Sequence, residues 1–239
     1  MEEDTPPTPP PTPTPGDDDK LQQAAPARSR TRPERPAQPP AEPFAHAELS
    51  ASLRRPYRML DVVLGERRRL VENLKTGRDL RALVATLLAC SALFAIPYGL
   101  VDGWGKVGHV ALLFLGSVLL CVPSLLIFGS YLGIKLHWSQ NLAIALVIPA
   151  AAALFTFGFA PIYWFLEVTM PDDGGLGGVA TRVTLLVFSL LLALSHLNRC
   201  LFVDADFRVL RDNWALWVGW QILLVFLSYR MASTLGMFE

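Results

Sequence analysis

The pattern of hydrophobic and polar positions divides the chain into three regimes. From Met1 to Pro56 apolar residues are sparse and show no period. From Tyr57 to Gly77 they recur at spacings of three and four. From Arg78 to Glu239 they run on in stretches of twenty and more. A helix crossing a hydrocarbon core about 30 Å thick needs about 20 predominantly apolar residues. The third regime therefore predicts five spans, Leu80–Val101, His109–Ile134, Asn141–Val168, Val179–Phe202 and Trp214–Leu235. The expected fold class is all-α: a polytopic transmembrane helical bundle of about five spans, preceded by a disordered N-terminal arm and an amphipathic lead-in helix. Pro123, Pro149 and Pro161 fall inside spans and Pro97 near the end of one. In a bilayer the carbonyl freed by a proline must find a new partner on a neighbouring helix or hydroxyl, which favours a packed bundle over separate anchors. Short connections make successive spans antiparallel neighbours.

The first regime holds 14 of the 19 prolines. Such a stretch cannot supply helical hydrogen bonds or bury enough apolar surface to offset its ordering entropy, so residues 1–56 are expected to be disordered with polyproline II character. PxxP spacing, as in Pro6 to Pro9 and Pro10 to Pro13, also suits aromatic grooves of the SH3 type, so the arm reads either as a linker or as a docking ligand.

In the second regime, residues 57–77, Leu60, Val63, Leu64, Leu70, Val71 and Leu74 share one helical face. The other face carries Glu66, Arg67, Arg68, Arg69, Glu72 and Lys75, with Arg78 just beyond. Two arrangements fit this profile. The helix lies in the headgroup boundary with its arginines toward anionic lipid, or it packs on its own membrane domain or on a partner. In either, Arg67, Arg68, Arg69, Lys75 and Arg78 are the candidate contacts for a membrane surface or a partner.

A hydrophobic content of 52% and a mean hydropathy of +0.36 agree with a membrane protein. Net charge is zero, but its distribution is uneven. With the N-terminus in the cytoplasm the inner side receives ten basic residues flanking the spans, Arg67 to Arg81 together with Lys135, Arg199, Arg208 and Arg211. The outer side receives three, Lys106, Arg182 and Arg230. The positive-inside bias thus predicts a cytoplasmic arm and a C-terminus on the opposite side. No apolar leader precedes the spans, so insertion is expected to be directed by the first of them. Cys90, Cys121 and Cys200 form no CxxC pair and read as buried structural thiols.

Ionisable groups within a membrane are the first candidates for chemistry. Glu167 and Arg182 fall on the same expected side and could close the hairpin between the third and fourth spans as an ion pair. His196, Asn198 and Arg199 cluster at the inner end of the fourth span, and no acid or acid–histidine pair lies at mid-span. GxSxG, HExxH, GxGxxG and Walker motifs are missing. The chain is accordingly not expected to be an enzyme, to hold a cofactor or metal, or to bind nucleic acid. Small residues (Gly116, Ser117, Gly129, Ser130, Ala150 to Ala153, Gly158) allow close helix approach, within one bundle or between copies in a homo-oligomer.

Gly129-Ser130-Tyr131-Leu132-Gly133-Ile134, then Trp138-Ser139-Gln140 and a third span containing Pro149, together with a polar arm and amphipathic lead-in, make the chain resemble the Yip family of five-span membrane proteins, in particular its bacterial relatives. The resemblance implies a trafficking or membrane-organising adaptor, and for bacterial relatives the inner membrane. The acidic-aromatic signature before the first span of eukaryotic members is replaced by Arg78-Asp79-Leu80-Arg81, so no functional residue carries over. The expected function is a non-enzymatic membrane anchor or scaffold that recruits a cytoplasmic protein partner through its arm and basic helix. The alternative is a subunit of a transporter or channel, homo-oligomeric in one form.

Overall fold

Apolar runs long enough to cross a bilayer have no use for strand pairing, and the computed structural model, which describes residues 41–101, 103–131, 137–169, 176–204 and 212–236, holds helices and no strand among the described residues. Five helices are long and apolar enough to span a membrane: α4 (Leu80–Val101), α5 (Trp104–Tyr131), α6 (Trp138–Thr169), α7 (Leu176–Arg199) and α8 (Trp214–Thr234). The chain is an integral, multi-pass membrane protein. Its outer surface is what lipid requires, with Leu112, Leu119, Leu120, Ile127, Ile162, Phe165, Ile222 and Phe226 all exposed.

The middle span is the axle of the bundle. Of the apolar window in α6, 72% is buried, against 22% in α8, and α6 packs on α4, α5 and α7 together. The run Ala150 to Ala153 explains why, since methyl side chains let three neighbouring backbones close in on one helix. Pro149 and Pro161 both lie inside this helix, as Pro123 lies inside α5 and Pro97 inside α4. Thr156, 0% exposed, donates to the carbonyls of Ala152 and Ala153 one turn back, so its hydroxyl does not go unmet in the core.

Tryptophans mark both faces of the slab. Trp138 and Trp214 begin α6 and α8 at one end, while Trp104 and Trp164 stand at the other, and all four are exposed. From Trp138 to Trp164 is 26 residues along α6, or about 39 Å at 1.5 Å per residue, close to the distance between the two interfacial regions of a bilayer. The α4–α5 hairpin is held tightly. A Cβ on Gly99 would sit 2.6 Å from the Cα of Val107, so only glycine permits that approach.

Before the spans lies a small helical cap: α1 (His46–Arg54), α2 (Pro56–Leu60) running into a π-helical turn (Asp61–Gly65), and α3 (Arg67–Thr76). This corrects the sequence reading at two points. The expected disordered arm extended to Pro56, yet residues 46–54 are helical. Between Pro43 and Pro56 no proline interrupts the chain, and Phe44, Leu49 and Ser52 bury themselves on the bundle. The lead-in, expected as one helix over 57–77, is instead broken by the π turn, where Glu66 N–H reaches back to Asp61 O at 2.7 Å. Gly77, with φ of 69°, ends α3 in the left-handed conformation, and Asp79 follows with φ of 51° before α4 begins. Residues 1–40, Lys135, the acidic glycine-rich connection over 170–175, and Arg208 with Arg211 lie outside the described residues, and with them the PxxP registers and three of the positions counted for orientation.

Candidate functional site

Among the described residues the cap is dense in polar contacts, and its geometry follows from how α3 spends its two faces. Val63, Leu70, Val71 and Leu74 are all buried, at 0 to 4% exposure. They are covered by protein: α3 lies against α6 and against the π-helical turn Cys200–Asp204 that follows α7. Of the two arrangements open at the level of sequence, the described residues take the second, a helix packed on its own membrane domain.

Four side chains bolt the cap in place. Asn73, fully buried, accepts the Phe44 N–H at 2.6 Å and donates to Phe44 O (3.1 Å) and Arg78 O (3.2 Å), tying the entering strand of chain to both ends of the α3 turn. Gln140, in the first turn of α6, donates to Leu74 O at 3.0 Å and Lys75 O at 3.3 Å, while its own carbonyl accepts His137 N–H at 2.8 Å. It thereby caps the C-terminus of α3 and the N-terminus of α6 at once, satisfying carbonyls that a helix end leaves open. His196 of α7 places Nε2 2.9 Å from Val63 O inside the π turn, so this nitrogen carries the proton that is donated. Cys200 Sγ lies 3.6 Å from the same nitrogen.

Arg69 is the fourth. The sequence places it among the membrane- or partner-facing arginines, and the structure corrects this. Its guanidinium bonds Glu48 of α1 at 2.5 Å and Glu66 at 2.7 Å, Nε donates to Glu42 O at 2.9 Å, and the group sits 4.3 Å over the ring of Phe44. Burial alone would lower its pKa, but the hydrogen bonds to Glu66 and Glu48 and their charges outweigh that and raise it. A guanidinium with planar, multidentate donors suits this three-way junction better than a lipid phosphate.

The other basic candidates face outward. Arg68, Lys75 and Arg78 are exposed and Arg67 is half-buried; the nearest acid to Arg78 is Asp79, at 3.8 Å. Arg54, Arg55, Arg58 and Arg81 are exposed as well. The expected ion pair between Glu167 and Arg182 does not form. Glu167 is exposed, and Arg182 turns its Nε onto Tyr163 Oη at 3.1 Å, one helical turn nearer the core, where Tyr163 stacks on Tyr98 with centroids 5.0 Å apart. Tyr98 Oη donates to Arg182 O at 3.1 Å, so this knot joins α4, α6 and α7 at the end of the bundle away from the cap.

Asn73, Gln140 and the His196 bond were not singled out from sequence. The signals were present: Asn73 lies on the same face as Leu70 and Leu74, where a polar residue needs an internal partner, and Gln140 stands three residues after His137 at a helix start, the spacing of a reciprocal cap. No group of three or more His, Cys, Asp or Glu able to hold a metal occurs among the described residues. No protein-family model matches the chain, and no curated protein and no solved structure matches it.

Proposed function

We propose that the protein is a non-enzymatic membrane platform, Yip-like in layout, whose cap offers a basic face to an acidic protein partner in the cytoplasm. The observation that carries this reading is the division of labour on α3. Its apolar face is already spent on the bundle, and the exposed side chains of Arg68 and Lys75, like that of Arg54 on α1, make no hydrogen bond or ion pair among the described residues, while Arg78 lies 3.8 Å from Asp79 and Arg55 donates to Tyr57 Oη at 3.4 Å. Arg68 and Lys75 are seven residues apart and share one helical face. Bolted at four points, that face is held rigidly, which lowers the entropic cost of binding. The positive-inside bias supports a cytoplasmic cap, with the C-terminus opposite and, by the family resemblance, the bacterial inner membrane as its site.

The test is charge reversal on the cap of the full chain. Arg68→Glu, Lys75→Glu and Arg78→Glu together should leave thermal unfolding in mild detergent unchanged while removing a stoichiometric companion from the purified material. A companion retained in full, at physiological and at low salt, would sink the proposal. Removal of residues 1–40 in a second variant separates the contribution of the arm from that of the cap.

A further inference from the structure

Helix α8 packs on α5, but against α7 it leaves a slot of about 610 Å³. The slot is walled by apolar side chains such as Val187, Leu190 and Leu191 of α7 and Ile222 and Val225 of α8, and floored by Phe114 of α5. Its volume falls within the range of about 300–1,000 Å³ usual for ligand sites. The two helices do meet at the cap end. Asn198 Oδ1 accepts from Trp217 Nε1 at 2.7 Å and from Gln221 Nε2 at 2.6 Å. Beyond that bridge a second recess of about 440 Å³ shares Leu191, Leu194 and Gln221 with the slot and opens past Ser195 and Arg199. Together they make one channel, apolar along its length and polar at the cap-side mouth.

We infer that this channel is a binding site for an anionic phospholipid of the leaflet on the cap side, with one acyl chain in the α7–α8 slot and the phosphate at Arg199 and Ser195. Along α8 the slot is lined from Val218 to Ala232, 14 residues or about 21 Å. Charge selects this occupant over a second protein helix. Arg199 is exposed at the mouth, and its guanidinium makes no ion pair or hydrogen bond among the described residues, while the hydroxyl of Ser195 stands one turn before it on α7. A cation and a hydroxyl at the interfacial end of an apolar slot complement a phosphodiester joined to a hydrocarbon tail. The site is independent of the basic face of the cap, since neither Arg199 nor the slot belongs to it.

The experiment uses the full chain, purified in mild detergent, delipidated and titrated with dioleoyl phosphatidylglycerol or dioleoyl phosphatidylcholine, with bound lipid read by native mass spectrometry. The wild-type protein should retain one molecule of phosphatidylglycerol in preference to phosphatidylcholine. Arg199→Gln should reduce that preference about fivefold, the weight of one basic residue at an anionic interface. Val187→Trp, which fills the slot from a partly exposed position, should abolish retention of both lipids with helicity and unfolding temperature unchanged. Equal retention of the two lipids by the wild type, or retention undiminished in Val187→Trp, overturns the assignment. So does a dimer that carries no lipid and dissociates in Val187→Trp, which would give the slot to a second copy of this chain.

Discussion

Asn73 provides the sharpest test of how the cap is held. Replacing it with leucine keeps the branching at Cγ and removes three hydrogen bonds, those from Phe44 N–H and to the carbonyls of Phe44 and Arg78. Each such bond contributes about 0.5–1.5 kcal/mol net, and a buried backbone group left without a partner costs more. The apolar replacement gains some burial, and the Phe44 groups can reach water if the segment lifts, so about 3 kcal/mol is a reasonable sum for undocking of residues 41–54. That is a rise on the order of a hundredfold in the population with α1 released. Arg54 ends the released helix and Arg58 follows it, while Arg55 precedes Pro56 and is not a trypsin site, so brief trypsin treatment of the full chain in detergent or nanodiscs reads that population at Arg54 and Arg58 when opening is fast relative to cleavage. The expected result is rapid cleavage at these two arginines with the five spans intact. Cleavage at the wild-type rate in Asn73→Leu would mean that the apolar contacts of Phe44 and Leu49 suffice, and that the amide network has been given too much weight.

Two further substitutions probe the bundle. Gly99→Val should lower the unfolding temperature, by an amount equivalent to about 1–3 kcal/mol, because its Cβ meets the backbone of Val107 and the α4–α5 hairpin must spread; an unchanged melt in the same detergent would contradict that close approach. Ser91→Ala should be neutral or stabilising by up to about 1 kcal/mol, since the Ser91 hydroxyl is fully buried with no hydrogen-bond partner among the described residues; a clear loss of stability by thermal scan would show that the hydroxyl is satisfied after all.

The spans were legible because a membrane imposes one crude rule, continuous apolarity over a fixed length. Leu80–Val101 coincides with α4, and the other four spans differ from theirs by a few residues at the ends. The cap was not legible in the same way. Its face of Leu70, Val71 and Leu74 specifies burial without saying whether lipid or protein does the burying, and that choice rests on Gln140 and His196, which lie 66 and 133 residues away from their partners. Arg69 was misassigned for a related reason. In sequence it is one of three consecutive arginines, and only the fold brings Glu48 and Phe44 to it while leaving Arg68 exposed. Residues 46–54 carry too few apolar residues for a clear period, and their helix is defined by the burial of Leu49 and Ser52, which only the fold reveals. Opposite charges on the hairpin suggest the Glu167–Arg182 pair, but the phenol of Tyr163 competes for the guanidinium, and only the packing of α6 on α7 brings it there.

The clamp formed by Gln140 has a consequence for the order in which the chain is completed. The cap is synthesised first, yet the groups that close its carbonyls arrive with the third span, and the His196 bond to Val63 only with the fourth, 133 residues later. At about 5–20 residues per second that interval is roughly 7 to 27 seconds. Until the third span is made, 66 residues after Leu74, the apolar face of α3 has no α6 to lie on, and until the fourth it lacks the His196 bond. Completion of the cap therefore reports that four spans have been inserted, and a truncated or misinserted chain would not display the rigid basic face at all.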